Sequence, residues 1–174
     1  MVRLSIGIVM LGFLGYISLV HAETPNMRDN EEINCLALNI YHEARSESLA
    51  GQYAVADVTL NRVQHGRFPS TICGVVKQAV LSQWGLDRGM SIPRKNMCQF
   101  SWYCDGLADE PVETYSWLRA QDIARDMIFT KKHRGLTEGS THYHANYVSP
   151  KWSSHSSMRL IGRIGDHIFY KEEY

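Results

Sequence analysis

Residues 29–45 read DNEEINCLALNIYHEAR, and this stretch has the pattern of an amphipathic helix that ends close to an acid. Asp29, with Glu32 three residues later, has the arrangement of a capping box and predicts where the helix begins. Apolar side chains then recur with the 3.6-residue period of one helix face, at Ile33, Leu36, Ala37, Ile40 and Ala44. The pattern predicts a helix that buries one face.

Glu43 lies beside this apolar face, near the C-terminal end of the predicted helix. The helix dipole disfavours an anion there, and partial burial raises the pKa of a carboxyl group. A glutamate with a raised pKa stays protonated near neutral pH and can act as a general acid. The alternative is a structural role, in which Glu43 pairs with His42 or Arg45 at a solvated helix end.

Five segments of the chain together resemble one known family. In order and spacing they resemble the cell-wall hydrolase family typified by the spore cortex-lytic enzymes; the segments are residues 35–45, 51–63, 68–76, 98–106 and 141–145. The resemblance implies a fold similar to the lysozyme-like lytic transglycosylases. That fold is α+β and mainly α, a helical domain with a small β element. The resemblance also implies that Glu43, the acid of the Y-x-E-A-R segment, is the catalytic acid.

The first 22 residues have the features of a secretory signal peptide. Arg3 provides a positive charge, residues 4–20 are apolar, and Val20-His21-Ala22 resembles a cleavage site. An uncleaved membrane anchor is the alternative. We therefore expect residues 1–22 to be removed and residues 23–174 to form a single cell-wall hydrolase catalytic domain. Such a protein would be exported, to the periplasm or to the outside of the cell and its wall.

The charge composition disfavours a polyanionic partner. Lys and Arg together number 18, as do Asp and Glu, and the chain has no basic stripe that could follow a phosphate backbone. We therefore expect no nucleic-acid partner, and no stable membrane span once the signal peptide is removed. The expected protein is a monomer that acts on peptidoglycan glycan strands and uses no cofactor.

The four cysteines favour disulfides, because an exported chain matures under oxidising conditions. Three pairings are possible, and we favour Cys98–Cys104 as a short loop with Cys35–Cys73 joining the first helix to a later turn. A zinc site made of Cys98, Cys104, His142 and His144 is the alternative. Its spacing is unlike paired C-x-x-C motifs, and we expect no metal.

The remaining chain is expected to be mostly helical. The predicted elements are a helix over 49–63, a short helix capped by Ser70 and ending at Gln78, a long loop over 81–96, and a long helix with Pro111 in its first turn. Lys131, Lys132 and His133 suit the C-terminus of that helix. Residues 142–144 and 168–170 alternate like short strands.

Gln99-Phe100-Ser101-Trp102 combines amide, hydroxyl and aromatic groups, which is the composition of a sugar-binding surface. Gln99 and Ser101 are the better candidates for sugar contacts. The alternative is that Phe100 and Trp102 simply pack on the core inside a disulfide-closed loop.

Five further residues are assigned to the site or to its support. Tyr143 and His144 are expected to line the opposite wall, although a histidine on a strand is more often structural. Gln52 either reaches the cleft or caps a turn. Asn61 and Arg62 are expected to brace the first two helices against each other.

Hydrolysis of a glycosidic bond usually needs a second carboxylate. Glu47, Asp57, Asp105 and Asp166 are candidates, but none lies in a motif that marks it. We therefore expect a lytic transglycosylase that cleaves between N-acetylmuramic acid and N-acetylglucosamine and leaves 1,6-anhydromuramyl ends. The alternatives are a hydrolytic muramidase or glucosaminidase, a cysteine peptidase with a free thiolate, and a non-catalytic wall-binding protein.

Overall fold

The computed structural model describes residues 26–173. The predicted signal peptide, residues 1–22, lies outside the described residues, as does the membrane anchor considered as its alternative. Within residues 26–173, no helix combines the length and the apolar content needed to cross a membrane.

Helix α1, Met27–Ala44, lies at the centre of the helical part of the fold. It packs against α2, Leu49–Gln64, against α3, Ile72–Val76, and against α5, Thr114–Arg125. Its apolar face is buried as the sequence period predicts, and Leu36, Ala37 and Ile40 are fully enclosed. The helix therefore lies at the centre of the main hydrophobic core, which also fixes where Glu43 lies.

The predicted cap of α1 was wrong by three residues. Asn26 is the N-cap: its side chain accepts a hydrogen bond from the Asp29 backbone N–H at 2.9 Å, and Asp29 is the third helical residue of the capping box. Glu32 instead accepts a hydrogen bond from the Ile72 backbone N–H at 2.6 Å, in the first turn of α3. Asn and Asp both suit a cap, so local sequence does not decide between them.

The segment expected to be a long loop, residues 81–96, contains regular structure. Strand β1, Ala79–Leu81, pairs with the antiparallel strand β2, Pro93–Cys98, and the four-residue helix α4, Gln83–Leu86, lies between them. Strand β2 is largely exposed and β1 has only three residues, so neither carries an apolar alternation that the sequence could reveal. The preceding helix α3 is capped by Thr71, not by Ser70 as predicted, and it ends at Val76.

Helix α5 begins at Thr114, later than the predicted start at Pro111. The Tyr41 hydroxyl oxygen accepts hydrogen bonds from the backbone N–H groups of Val112 and Glu113, both at 3.1 Å. These bonds use N–H groups just before the helix and fix its entry. The helix continues into one π-helical turn, Asp126–Thr130, and ends at Lys131, which has a left-handed conformation.

The C-terminal part forms a three-stranded antiparallel sheet. Its strands are β3, His142–Ala145, β4, Met158–Ile164, and β5, His167–Glu172, with β5 in the middle. The sequence predicted strands at β3 and β5 but missed β4. Together with the five helices, the sheets confirm the predicted α+β, mainly α class.

The cysteines pair as predicted. Cys35–Cys73 joins α1 to α3, and Cys98–Cys104 closes the loop that follows β2. Cys98 and Cys104 are therefore not free to bind zinc, which removes two of the four ligands of that alternative.

Thiol titration tests this pairing. The denatured, unreduced mature protein should contain no reactive thiol, and reduction should release four, since every cysteine in the sequence is bridged. Two or more thiols before reduction would contradict the pairing and would restore the zinc and peptidase alternatives.

Candidate active site

Glu43 lies in the last turn of α1, where the helix faces the three-stranded sheet. The Tyr143 hydroxyl on β3 donates a hydrogen bond to Glu43 Oε2 at 3.0 Å. Burial raises the pKa of the Glu43 carboxyl, while the Tyr143 hydrogen bond and the positive charge of Arg62 lower it to a smaller extent. The carboxyl therefore holds its proton to a higher pH than an ordinary glutamate.

The neighbours of Glu43 in sequence have other partners. His42 Nε2 lies 3.0 Å from the Asp109 carbonyl oxygen, and its ring stacks on Trp102. Arg45 donates a hydrogen bond from Nε to Glu113 at 3.2 Å. The proposed structural pairing of Glu43 with His42 or Arg45 is therefore not what the structure shows.

Arg62 and Asn61 support the site from α2. The Arg62 Nε–H donates to the Thr141 carbonyl oxygen at 2.7 Å, and Asn61 Nδ2 donates to the Ser140 carbonyl oxygen at 2.9 Å. Both residues therefore link α2 to the segment that leads into β3. This differs from the predicted brace between the first two helices, because the side chains point towards the sheet.

Tyr143 is held in place by the neighbouring strand. Its ring packs edge-on against His167, with ring centroids 5.0 Å apart, and in a tilted contact against Phe169. Burial, followed by the negative charge of Glu43, raises the pKa of Tyr143 well above its ordinary value. The phenol therefore stays protonated and acts as a hydrogen-bond donor to Glu43.

Glu47 fixes the turn between β4 and β5 beside this group. It lies beyond the end of α1, and its Oε2 accepts a hydrogen bond from the Asp166 backbone N–H at 3.1 Å. Gly165 in the same turn has φ of +59°, and a Cβ there would collide with the Glu47 carboxylate. Glycine suits this position, because the left-handed backbone strains other residues and the turn closes directly over Glu47.

Residues 99–102, the segment predicted to bind sugar, are divided between core and surface. Phe100 is 3% exposed and Trp102 is 8% exposed, and Trp102 Nε1–H donates to Asn39 Oδ1 at 3.1 Å. Gln99 and Ser101 are exposed. The two rings therefore pack in the core, the alternative considered for them, while the amide and the hydroxyl remain accessible.

His144 belongs to an aromatic cluster that the sequence analysis did not identify. Its Nε2 lies 3.2 Å from the Tyr170 hydroxyl, and its ring meets Trp152 edge-on at 5.5 Å. Trp152 also contacts His142. Tyr170 could have been inferred from the sequence, because it lies on β5, the strand that pairs with β3. Trp152 could not, because it lies in a separate 3-10 turn and no sequence pattern places that turn beside His144.

Gln52 is buried and does not open onto a cleft. Its Nε2 donates to the Glu47 carbonyl oxygen at 3.0 Å, which caps the turn between α1 and α2. A groove of about 770 Å³ lies at the opposite end of α1, where its lining includes Arg28, Glu32, Gln64 and Lys131 but not Glu43. The position of this groove therefore does not identify Glu43 as an active-site residue. That assignment rests on the burial and the hydrogen bonding of its carboxyl group.

Comparison with curated proteins finds spore cortex-lytic enzymes. The protein of that name from Oceanobacillus iheyensis is 29% identical over 147 residues, which is 84% of this chain and 44% of the relative. The one from Bacillus subtilis is 42% identical over 57 residues, 33% of this chain and 19% of the relative. The chain thus spans less than half the length of these relatives.

Solved structures with a similar fold carry related names. The catalytic domain of the germination-specific lytic transglycosylase SleB from Bacillus anthracis is 26% identical, with a TM-score of 0.54, and the match covers 85% of this chain and all of that one. The catalytic domain of the Bacillus cereus SleB protein is 27% identical, with a TM-score of 0.51, over 85% of this chain and 95% of that one.

The sequence profile of one family, described as cell wall hydrolase, matches residues 46–170. The matched residues begin just after Glu43, so the assignment of the acid depends on the structural environment described above. They include Arg62, Tyr143, the strands β3 and β4, and β5 as far as Tyr170. By this match over most of its length, the chain belongs to the cell wall hydrolase family.

Proposed function

We propose that this protein is a peptidoglycan lytic transglycosylase that cleaves the bond between N-acetylmuramic acid and N-acetylglucosamine, with Glu43 as general acid and base. The observation that carries the proposal is the hydrogen bond from Tyr143 to a partly buried Glu43 whose pKa is raised. The names of the relatives, spore cortex-lytic enzyme and lytic transglycosylase, agree with this chemistry.

The first step is protonation of the glycosidic oxygen. Glu43 gives its proton to that oxygen as the bond to C1 breaks and the muramic acid ring acquires oxocarbenium character. Glu43 is then a carboxylate that accepts a hydrogen bond from Tyr143. In the second step it takes the proton of the substrate's own C6 hydroxyl, and O6 bonds to C1. This restores protonated Glu43 and leaves a 1,6-anhydro ring.

Two of the four candidate second carboxylates are held by the fold. Asp57 is fully buried and accepts hydrogen bonds from Arg134, Gly135 and Thr137. Glu47 is tied to the backbone of the β4–β5 turn through Asp166. Because their oxygens are engaged in structure, activation of a water molecule by either one is disfavoured.

The other two candidates are near the surface and also have local partners. Asp166 accepts hydrogen bonds from Asn146 and Arg163, and Asp105 accepts one from the Leu107 backbone N–H. These roles favour transglycosylation over hydrolysis, since the C6 hydroxyl is already held close to C1 and needs no second protein carboxylate. A cysteine peptidase is not supported, because all four cysteines are bridged.

The glycan contacts are proposed to come from both sides of Glu43. Gln99 and Ser101 are exposed on the disulfide-closed loop, and Tyr143 and His144 lie on β3, with Trp152 beside His144. Partly exposed rings and hydroxyls suit sugar recognition. Action on the wall requires export, in the periplasm or outside the cell, for which the predicted signal peptide is the basis.

Product analysis tests the reaction. Digestion of purified peptidoglycan should yield muramic acid ends that have lost one water and resist borohydride reduction, because an anhydro ring has no free reducing carbon. Mass spectrometry before and after reduction distinguishes the products. Reducible muramic acid or glucosamine ends alone would contradict the transglycosylase and support a hydrolase, and intact strands would support a non-catalytic wall-binding protein.

A further inference from the structure

We propose that Arg62 is a positioning residue that holds a fixed positive charge beside Glu43, so that this single carboxyl can donate a proton and then take one back. The inference rests on the proposed function of Glu43. It concerns how one group performs both halves of the reaction, as the proposed transglycosylation requires.

The position of Arg62 is unusually well defined. Its side chain lies on α2, is 3% exposed, and donates from Nε to the Thr141 carbonyl oxygen at 2.7 Å. The guanidinium carbon lies 5.3 Å from the Phe68 ring centroid and 5.1 Å from the Phe100 ring centroid. Two aromatic contacts and a charge-assisted hydrogen bond therefore fix the cation next to the start of β3. Its acceptor, Thr141, lies two residues before Tyr143, whose hydroxyl donates to Glu43.

Burial of the Arg62 guanidinium costs free energy, which is unusual for a purely structural residue. Among residues 26–173, Arg62 Nη1 is buried and has no hydrogen-bond partner. Burial lowers the pKa of Arg62, which is the sign of an unfavourable environment for its charge. A buried cation without a directly bonded carboxylate requires an explanation, and the proposed effect of its charge on Glu43 provides one.

Two titratable groups respond directly to this charge. Arg62 lowers the pKa of Glu43 on α1 and that of Tyr143 on β3, against the larger effect of burial, which raises both. A protonated Glu43 is favoured by burial and a carboxylate is favoured by Arg62. Because burial and the Arg62 charge act in opposite directions on the pKa of Glu43, both of its protonation states stay accessible. A residue that acts first as an acid and then as a base needs both states.

Other titratable groups lie around Glu43 and Arg62. His167 on β5 packs edge-on against Tyr143, and Glu47 lies 3.7 Å from His167 Nδ1. On the far side of Arg62, the pKa of His142 falls to about 4, first because of burial and then because of the charges of Arg62 and Arg67. His142 is therefore neutral near pH 7 and adds no second positive charge.

The test compares Arg62→Met, which removes the charge but keeps the apolar stem, with Arg62→Lys, which restores a charge. The ¹³C chemical shift of the Glu43 carboxyl is followed against pH, together with the pH profile of peptidoglycan cleavage. In Arg62→Met the Glu43 midpoint should rise by about one pH unit or more, because a carboxylate loses its nearby cation. The alkaline limb of the profile should move with it, and Arg62→Lys should reverse most of the shift. Arg163→Met, at an exposed arginine of β4, should change neither.

An unchanged Glu43 midpoint in folded Arg62→Met would overturn the inference. If that variant does not fold, the same question is tested in the wild-type protein. The ¹⁵N chemical shift of Arg62 Nε should change with pH at the Glu43 midpoint, and a shift that does not change with pH would equally overturn the inference. These titrations do not depend on activity. An active Glu43→Gln variant would refute the proposed function, while the titrations would still establish whether Arg62 acts on Glu43.

Discussion

Replacing Glu43 with glutamine is expected to lower the rate of peptidoglycan cleavage by about 10²–10⁴-fold, the usual cost of losing a general acid. The amide keeps the size of the side chain and an oxygen that can accept the Tyr143 hydrogen bond. It has no transferable proton, so neither step of the proposed reaction proceeds. Release of muropeptides from purified peptidoglycan measures the effect.

The same variant should be more stable than the wild type at neutral pH. The pKa of Glu43 is raised in the folded protein from its ordinary value of 4.5, so the folded state prefers the protonated form. The stability that this preference provides is complete below the unfolded pKa and is lost as the pH rises through the folded pKa. Glutamine does not titrate, so the difference in free energy of unfolding should grow in favour of Glu43→Gln above about pH 4.5.

Glu113→Gln is the matched control for both measurements. Glu113 is exposed and pairs with Arg45 close to the same end of α1, so its loss should change activity and stability little. Muropeptide release near the wild-type rate by a folded Glu43→Gln variant would remove Glu43 from the mechanism and favour a different acid.

Asp57→Ala should lower the free energy of unfolding by about 3–5 kcal/mol, the range expected when one partner of a buried ion pair is removed. Asp57 is fully buried, and its Oδ1 accepts from Arg134 Nη1 at 2.5 Å and from the Gly135 backbone N–H. Its Oδ2 accepts from the backbone N–H and the hydroxyl of Thr137. Alanine leaves these donors buried without an acceptor and frees the loop that joins α5 to β3.

Asp166→Ala is the control for this prediction, since it removes an exposed carboxylate that also pairs with an arginine. It should cost about 1 kcal/mol or less. Urea unfolding of the two variants under non-reducing conditions measures the difference. Equal and small losses would show that the Asp57 cluster does not hold the loop. Cleavage retained by whatever fraction of Asp57→Ala remains folded would separate Asp57 from the chemistry.

Sequence predictions succeeded where the determining forces are local. The 3.6-residue period of α1 is confirmed because one apolar face of that helix had to be buried. The strands predicted at β3 and β5 are confirmed, and burial alternates along the first four residues of β5. Predictions failed where the choice depended on a distant partner: α5 starts after Glu113 because the hydroxyl of Tyr41 binds the backbone there. Strand β4 was missed because much of it is exposed and carries no clear alternation.

The sequence by itself therefore determined a mainly helical fold, a helix that presents an acid near its end, and a cysteine set suited to two bridges. Only the tertiary structure decided what surrounds that acid. Tyr143 hydrogen-bonds Glu43 across 100 residues of chain, and the charge of Arg62, on another helix, lowers the pKa of Glu43. Such interactions follow from how whole elements pack. Neither local propensity nor periodicity contains that information, so the residues that set the protonation of Glu43 became visible only in the folded chain.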